Sequence, residues 1–458
     1  MRVHFIAIGG AAMHNLAIAL HKKGFQVTGS DDEIFEPSKS RLATHGLLPE
    51  KEGWNQEIIT TKLDAIILGM HARKDNPELI RALELGIKVF SYPEYLYEAT
   101  KDKKRVVIGG SHGKTTITSM IMHVLNFYKM SFDYMVGAQI EGFDTMVSLT
   151  NDAPIAIFEG DEYLTSPIDL RPKFHLYKPH IALVSGIAWD HINVFPTWEN
   201  YIEQFTIFAD MIEPNGSFIY FAGDEELQKI AKKLPNNIEK LAYKGVDSKI
   251  VDDNTILILK DKQEVAVPIF GQHNMQNLDG ARIVCNQLGV NNSQFFEAIK
   301  TFKGAAKRLQ ILQKSADATI FLDFAHSPSK LKATTRAVKE QFPNRELVAC
   351  MELHTFSSLK REFLSHYRES MVAADRAYVY FNPEVIKHKK LEPITAEEVK
   401  EAFGGSNITV FTNSIELQQI LRGEKWYKRN LLLMSSGTFD GIDFKNFSKD
   451  LIVGLSCM

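Results

Sequence analysis

The sequence predicts an α/β protein that folds as three successive sections, each built on a largely parallel sheet. Short β-branched runs alternate with helical patterns along the whole chain, the order that helices layered on parallel sheets require. A length of 458 residues exceeds what one ordinary core accommodates. The content of 45% apolar and 24% charged residues is that of a globular protein. These observations together favour several α/β domains in one chain.

Composition also limits the class of partner. A net charge of -3 creates no strong field for nucleic acid or an anionic membrane surface. The cysteines Cys285, Cys350 and Cys457 are far apart, so neither a disulfide framework nor a CxxC metal site is indicated. No signal-peptide pattern opens the chain, and the apolar run at 65–70 is far too short to cross a membrane. We therefore expect a cytoplasmic monomer or weak homo-oligomer that binds neither nucleic acid nor membrane.

The first section carries a glycine-containing turn between a strand and a helix. Its strands are predicted at residues 3–8, 25–30, 63–70 and 87–91. The turn includes Gly9 and Gly10, and Asp31 follows at the end of the next strand. This spacing is similar to a dinucleotide-binding fingerprint, in which the acid binds a ribose hydroxyl. Ala7 and Ala12 occupy two fingerprint positions, so a different nucleotide such as UDP is favoured over NAD.

The second section opens with the most specific motif of the chain. After a charged break at 101–105, a strand at 105–109 leads into the segment GGSHGKTT and a helix at about 114–128. This is the context of a phosphate loop, whose glycines let backbone N–H groups approach phosphate oxygens. Lys114 can reach the outer phosphates of ATP, and the hydroxyl of Thr115 can bind Mg²⁺. Ile108 stands where the longer motif has glycine, so the loop has the shorter GxxGKT form.

Acidic residues follow later strands of the second section. Strands are predicted at 154–159, 181–187 and 217–221, with a hairpin formed by 255–260 and 264–269. Glu159 and Glu162 follow the first of these strands, and His191 follows the second. Strand carboxyl ends are where such sheets bind ligands. Beside a phosphate loop these side chains are natural Mg²⁺ ligands, and an acidic solvated turn is the alternative.

The third section is expected from about residue 304, with strands at 319–323, 346–351, 376–380 and 431–435. Before it, Asn274 and Asn277 belong to a polar cluster that precedes a helix. These side chains either cap the helix or contact a ligand. Arg308 is either a solvated charge or a ligand contact, and Asp323 at a strand end could bind a ribose or a metal.

Taken in order, the motifs resemble those of the Mur ligases, which build the peptide of bacterial cell-wall precursors. The resemblance covers essentially the whole chain and rests on HFIAIGGAAM, GSD, DNPE, GGSHGKTT, EGDEY, WDH, GQHNMQN, KRL, DFAHSP and SGTFDGI. It implies a UDP-binding Rossmann-like domain at 1–102 and a central P-loop ATPase domain with a mostly parallel sheet at 103–303. A C-terminal Rossmann-like domain at 304–458 would bind the amine substrate.

The resemblance also implies an activity. An ADP-forming ligase of this family uses ATP and Mg²⁺ to convert the carboxylate of UDP-N-acetylmuramate into an acyl phosphate, which an amine then attacks. The residues carried over for catalysis are Lys114, Glu159, His191 and Arg308, with Thr115, Glu159 and His191 at the metal. Those carried over for ATP are Gly110, Ser111, His112, Gly113, Lys114, Thr115, Thr116, Asn274, Asn277, Arg308 and Asp323. Those for the UDP substrate are Ile8, Gly9, Gly10, Ala11, Ala12, Met13, Ser30 and Asp31.

Two amine substrates are compatible with the resemblance. The segment EGDEYLTSPIDLRPKFHLYKP favours the family branch that joins the recycled tripeptide L-Ala-γ-D-Glu-meso-diaminopimelate to UDP-N-acetylmuramate. The alternative is the branch that adds L-alanine. Departures from the family pattern place several contacts in doubt, and they are Ala7, Ala12, Gly186, Ala188, Asn193, Lys307 and Ser327. An NAD-dependent dehydrogenase would leave the lysine loop unexplained, and a binding-only homologue should lack Lys114 or Glu159.

Overall fold

A computed structural model describes residues 1–189 and 194–453 of the chain. The structure divides into two compact units. The first comprises Met1–Gly245 and Gln276–Ile299, and the second comprises Val246–Met275 and Lys300–Met458. Within these described residues, each unit contains two sheets. Within the described residues, no helix combines the length and the apolar run needed to cross a bilayer.

The first sheet of the first unit is four-stranded and parallel. Its strands, in the order β2-β1-β3-β4, are β1 (Arg2–Ile6), β2 (Gln26–Ser30), β3 (Ala65–Leu68) and β4 (Val89–Ser91). The helices around it are α1 (Ala11–Lys22), α2 (Ser38–Thr44), α3 (Pro77–Glu84) and α4 (Tyr92–Thr100). Local sequence sets two helix starts: the Asn76 side chain caps α3, and Ser91 with Glu94 forms a capping box on α4.

Strand β1 is shorter than the 3–8 run predicted from its apolar composition. It ends at Ile6 because Ala7 has a φ of 68°, in the left-handed region that strands do not use. The backbone N–H groups of Ala7 and Ile8 both donate to the carbonyl of Ser30, at 2.9 and 3.1 Å. The turn that precedes α1 is therefore held against the end of β2.

The second sheet of the first unit is seven-stranded. Its strands, in the order β11-β10-β9-β5-β8-β6-β7, are β5 (Lys104–Gly109), β6 (Phe132–Met135), β7 (Val147–Ser148), β8 (Ile155–Glu159), β9 (Ile181–Val184), β10 (Ser217–Phe221) and β11 (Glu239–Tyr243). Only β7 pairs antiparallel among these described strands. The helices are α5 (Lys114–Phe127), α6 (Trp198–Asp210), α7 (Glu225–Lys233), α8 (Gln272–Gln287) and α9 (Asn292–Ile299).

Strand β5 lies in the middle of this sheet, between β8 and β9. Beneath its carboxyl end, the ring of Phe174 stacks on Phe208 with centroids 4.6 Å apart and meets Phe205 edge-on at 5.4 Å. All three rings are fully buried, and each contributes about 2–3 kcal/mol of apolar burial. A β-carbon on Gly109 would lie 3.5 Å from both Phe174 and Phe208. This aromatic layer therefore supports the point where β5 ends and the phosphate loop begins.

The second unit contains a three-stranded antiparallel sheet and a six-stranded sheet. The former consists of β12 (Ser248–Val251), β13 (Asn254–Ile258) and β14 (Glu264–Val267), and includes the hairpin predicted from sequence. The latter, in the order β15-β16-β20-β17-β18-β19, consists of β15 (Gln310–Lys314), β16 (Ala318–Asp323), β17 (Glu346–Glu352), β18 (Arg376–Tyr380), β19 (Ile408–Phe411) and β20 (Arg429–Met434). Strand β15 is antiparallel and the other five are parallel.

In the described part of the chain, the helices beside these sheets are α10 (Pro328–Gln341), α11 (Arg361–Leu364), α12 (Pro383–His388), α13 (Ala396–Phe403), α14 (Ser414–Gly423) and α15 (Phe444–Val453). The hairpin sheet is tied to α10, because the hydroxyl of Thr255 donates to Gln341 at 3.1 Å. Arg345 reaches Asp253 of the same sheet at 2.9 Å. The α/β fold class with mostly parallel sheets, predicted from the alternation of strands and helices, is confirmed.

Candidate functional site

The segment GGSHGKTT spans the end of β5, a compact loop at 110–113 and the first turn of α5. Gly110 and Gly113 have φ values of 120° and 78°, which side chains larger than hydrogen rarely permit. Gly113 immediately precedes α5, and no side chain in the described structure caps this helix end. The first N–H groups of α5 and its positive dipole end therefore point into the loop, as an anion-binding site requires.

Lys114 is the first residue of α5 and its ammonium group turns back into the loop. It donates to the carbonyl of Gly110 at 2.8 Å and to Glu162 Oε2 at 2.6 Å. The Lys114 side chain is 14% exposed and that of Glu162 is 2% exposed. Burial would lower the pKa of Lys114, but the neighbouring carboxylates, chiefly Glu162 and Asp161, outweigh it and raise that pKa above its ordinary value. The lysine is therefore held as a cation where phosphate oxygens would bind.

Thr115 and Glu159 are brought together as the sequence predicted for a metal site. The Thr115 hydroxyl donates to Glu159 Oε1 at 2.8 Å, and the backbone N–H of Gly137 donates to Glu159 Oε2 at 2.7 Å. A hydroxyl and a carboxylate at the edge of a phosphate loop fit Mg²⁺, which prefers oxygen ligands and keeps several waters and phosphate oxygens. In residues 1–189 and 194–453, no group of three or more His, Cys, Asp or Glu is arranged to hold a metal by itself.

The third predicted metal ligand, His191, lies outside the described residues, as do Asp190 and Asn193. The residues just before them contact the phosphate loop. The Ala188 N–H donates to the hydroxyl of Ser111 at 2.9 Å, and the N–H of Ser111 donates to the Gly186 carbonyl at 3.0 Å. The segment at 186–188 is therefore hydrogen-bonded to the phosphate loop.

Several residues around the loop have contacts that the sequence did not predict. Glu162 belongs to the EGDEY motif, but its pairing with Lys114 needed the folded structure. Tyr201, on α6, is fully buried and its hydroxyl lies 2.9 Å from that of Ser111. The hydroxyl of Ser185 donates to the carbonyl of His112 and, at 3.3 Å, to that of Gly109. Only the EGDEY motif offered a signal for any of these residues.

The two predicted adenine contacts, Asn274 and Asn277, lie within the first turns of α8 and not before it. Asn274 donates to the carbonyl of Phe270 at 2.9 Å, within the second unit. Asn277, in the first unit, lies where a β-carbon on Gly113 would be. Its side chain therefore contacts the phosphate loop itself, and contact with adenine remains a prediction for both residues.

The eight residues predicted for the UDP substrate lie together at the carboxyl edge of the four-stranded sheet. Gly9 and Gly10 form the turn into α1, and Ser30 ends β2. Asp31 is 5% exposed and its Oδ2 accepts the Gly9 N–H at 2.7 Å. Burial raises the pKa of the Asp31 carboxyl to about 6. This carboxyl therefore holds the glycine turn, and its contact with a ribose stays a prediction.

Two departures from the family pattern fall at this turn. Ala7 adopts a φ of 68°, so the chain takes there a conformation that glycine adopts more easily. Its methyl group packs beside Gly69, where an added β-carbon would lie 3.0 Å away. Ala12 packs against the core of the first unit. Both alanines are therefore accommodated by the local backbone and packing.

In the second unit, Arg308 and Asp323 lie beside each other. Asp323 ends β16, and its two oxygens accept the N–H groups of Leu309 and Ala325, each at 2.7 Å. The guanidinium of Arg308 lies over the ring of Phe324, 4.8 Å from its centroid. The Asp323 carboxylate thus fixes the turn that carries Arg308. The predicted contacts of these two residues with ATP stay predictions.

This fold and loop define a protein with a phosphate loop on a parallel α/β sheet. Three models of one family match the chain in succession: "Mur ligase family, catalytic domain" at residues 2–104, "Mur ligase middle domain" at 108–285 and "Mur ligase, glutamate ligase domain" at 307–437. The chain therefore belongs to the Mur ligase family and has its three-domain fold. Members of this family are ATP-dependent ligases, which confirms the enzyme class expected from the motifs.

One group of relatives is named after L-alanine. The UDP-N-acetylmuramate–L-alanine ligase of Sulfurihydrogenibium sp. is 28% identical over 92% of this chain and 91% of its own length. That of Carboxydothermus hydrogenoformans is 27% identical over 98% and 97%. Among solved structures, the UDP-N-acetylmuramate–alanine ligase of Thermotoga maritima has a TM-score of 0.72 at 19% identity, over 100% of this chain and 99% of that one.

A second group of solved structures carries another substrate in its name. The UDP-N-acetylmuramate:L-alanyl-γ-D-glutamyl-meso-diaminopimelate ligase of Neisseria meningitides is 25% identical with a TM-score of 0.59, over 66% of this chain and 98% of that one. The murein peptide ligase of Psychrobacter arcticus has a TM-score of 0.66 at 20% identity, over 100% and 99%. Likeness at 19% or 20% identity shows the common fold and does not identify the amine substrate.

Proposed function

We propose that this chain joins an amine-bearing substrate to the carboxylate of UDP-N-acetylmuramate, with ATP converted to ADP and phosphate. The observation that carries the proposal is the placement of Lys114 and Thr115 on the phosphate loop, each paired with its own carboxylate. Glu162 lies 2.6 Å from the lysine and Glu159 lies 2.8 Å from the threonine. A cation and an adjacent pair of oxygen ligands for Mg²⁺ are what transfer of the γ-phosphoryl group requires.

Each residue has a distinct part in this proposal. The Lys114 ammonium and the first N–H groups of α5 bind the phosphate oxygens, and lower the cost of the charge that spreads over the transferring group. Thr115 and Glu159 hold Mg²⁺, which supplies neutralisation of the phosphate charge when bound. The turn at Gly9 and Gly10 and the N-terminus of α1 receive the diphosphate of the UDP group. The assignments of His191 and Arg308 rest on the family motif.

For the amine substrate, we propose L-alanine. The curated relatives that span more than 90% of this chain, including those from Sulfurihydrogenibium and Carboxydothermus, are named as L-alanine ligases. The sequence motifs had favoured the tripeptide, and the comparisons support the alternative better. We also propose a cytoplasmic location, in keeping with cysteines Cys285 and Cys350 that are buried and unpaired.

The tripeptide L-Ala-γ-D-Glu-meso-diaminopimelate is the second candidate, favoured by the Neisseria ligase at 25% identity and by one local feature. The segment whose motifs resemble the tripeptide branch, residues 159–179, is partly buried here. Lys173 pairs with Asp161 at 2.6 Å, and Phe174 and Tyr177 are fully buried. Phe174 of this segment lies under the start of the phosphate loop, and the likeness of the segment to the tripeptide branch rests on its sequence motifs.

Phosphate release from ATP decides between these proposals. Purified enzyme with Mg²⁺ and UDP-N-acetylmuramate is supplied with L-alanine, with the tripeptide, or with neither. We expect turnover with L-alanine and none when UDP-N-acetylmuramate is omitted. Turnover with the tripeptide and none with L-alanine would replace L-alanine by the second candidate. If no amine gives turnover, the ligase proposal is wrong.

A further inference from the structure

Glu162 is a buried carboxylate that the reaction described above does not use. Its side chain is 2% exposed, although it lies at the mouth of a nucleotide-binding loop. Its Oε2 accepts the ammonium of Lys114 at 2.6 Å, and its Oε1 accepts the hydroxyl of Tyr201 at 3.3 Å. A buried carboxylate is costly unless it is paired, so this arrangement calls for a specific role.

Glu159 and Glu162 accept hydrogen bonds from different groups at the phosphate loop. Glu159 takes the hydroxyl of Thr115 and the N–H of Gly137, while Glu162 takes Lys114 and Tyr201. A metal ion bound to Glu162 would be repelled by the Lys114 ammonium that the same carboxylate holds. The two acids of one motif therefore serve different members of the loop.

The contacts of Glu162 continue into a buried chain of polar groups. The Tyr201 hydroxyl lies 2.9 Å from that of Ser111, which in turn accepts the Ala188 N–H at 2.9 Å. Tyr201 is fully buried and Ser111 is 3% exposed. Glu162 is thus linked through α6 to the phosphate loop at Ser111, as well as at Lys114. Such satisfied networks in a low-dielectric setting hold their members in one arrangement.

The hydrogen-bond network of Glu162 limits the conformations of the Lys114 side chain. Its four-carbon stem is flexible, and fixing it costs conformational entropy. Lys114 has three N–H donors, of which one goes to the Gly110 carbonyl and one to Glu162 among the described residues. These two acceptors aim the third donor, which is the one left for a phosphate oxygen.

We infer that Glu162 is a positioning residue that holds the Lys114 ammonium in the phosphate loop, with Tyr201 connecting it to Ser111. The inference rests on the proposed use of ATP and adds a residue to it. Glu162 acts through the lysine and does not touch the nucleotide. Its removal should harm the chemical step more than nucleotide binding, because a lost carboxylate also relieves repulsion of the polyphosphate.

Three variants test the inference. Glu162→Gln removes the charge and keeps the shape, Glu162→Asp restores the charge on a shorter side chain, and Tyr201→Phe removes only the connecting hydroxyl. Glu98→Gln is the matched control, since this acid pairs with Lys101 at 2.9 Å on the surface. The measurements are kcat, the KM for ATP and the calorimetric Kd of the non-hydrolysable imido analogue of ATP with Mg²⁺.

For Glu162→Gln we expect kcat to fall by roughly 10- to 100-fold, the effect of losing a hydrogen bond to a charged group. The Kd of the imido analogue should not rise by more than about threefold. Glu162→Asp should recover part of the lost kcat, and Glu98→Gln should match the wild type. If Glu162→Gln does not fold, Tyr201→Phe decides: we expect a kcat loss of about three- to tenfold with unchanged analogue affinity.

Two outcomes would overturn the inference. One is a kcat for Glu162→Gln, or for Tyr201→Phe where that variant decides, within about twofold of the wild type. The other is a loss of analogue affinity as large as the loss of kcat, which would show general damage to the loop. Wild-type enzyme that is inactive with every amine would refute the proposed function instead, so the two failures are distinguishable.

Discussion

The hydroxyl of Thr115 lies 2.8 Å from Glu159 Oε1, although 44 residues separate the two in sequence. The contact exists because β5 and β8 are parallel neighbours, so that the phosphate loop and the acid emerge at the same edge of the sheet. The proposed Mg²⁺ site depends on this pair.

Removing the hydroxyl of Thr115 should raise the concentration of Mg²⁺ that the enzyme requires. Thr115→Val keeps the shape of the side chain and deletes one proposed ligand. We expect the Mg²⁺ concentration for half-maximal activity to rise roughly tenfold, since one contact to a charged group is worth about 1.5–3 kcal/mol. The measurement is a Mg²⁺ titration of phosphate release. Thr118→Val, a buried threonine on the same helix, is the control, and equal shifts in both variants would contradict the assignment.

Replacing the loop lysine should affect stability as well as activity. Lys114→Met leaves the Glu162 carboxylate buried without its cation, which we expect to cost about 3 kcal/mol. The double variant Lys114→Met with Glu162→Gln removes both charges and should regain most of the stability. Activity should stay absent in both. Denaturant unfolding and phosphate release measure these effects, and an active double variant would refute the role of the lysine.

Asp31 should make stability depend on pH near 6. Burial raises the pKa of its carboxyl to about 6, above the ordinary value of an aspartate in an unfolded chain. The folded state therefore binds a proton more tightly than the unfolded state, and this contribution to stability grows as pH falls through 6 and levels off below about 4. At higher pH the buried charge is a cost.

The comparison with Asp31→Asn isolates this effect, because the variant lacks the titrating group. The unfolding temperature of the wild type, relative to the variant, should rise as pH is lowered from about 7.5 to 5. Thermal scans at several pH values measure the difference. A difference that stays constant, or moves in the opposite direction, would show that Asp31 does not titrate in this range.

Asp323 should stabilise the second unit through the turn at Arg308. Its carboxylate accepts two backbone N–H groups at 2.7 Å, and Asp323→Ala would leave both without that partner. We expect a loss of about 2–4 kcal/mol in the free energy of unfolding. The surface variant Glu384→Ala should change it by less than about 0.5 kcal/mol. A loss for Asp323→Ala no larger than that of the control would contradict this role.

Much of the fold followed from local pattern. The alternation of strands and helices predicted parallel α/β sheets, and β5, β8, β16 and β18 lie close to their predicted positions. The predicted strand at 3–8 was too long, because its apolar residues continue past Ile6 while the backbone turns at Ala7. Apolar composition reports burial, and it does not report the φ of a single residue.

The sequence by itself determined the nature of the loop, since glycine, lysine and threonine at this spacing carry their own chemistry. It also determined family membership, because the motifs of the Mur ligases occur in the same order along this chain. The motifs also placed Thr115 and Glu159 at one metal site, but only the tertiary structure decided that Glu162 pairs with Lys114. Glu159 and Glu162 are three residues apart in one motif, yet packing against Gly137 and Tyr201 directs one to Thr115 and the other to Lys114. Contacts between distant strands and helices set such pairings, and no local pattern encodes them.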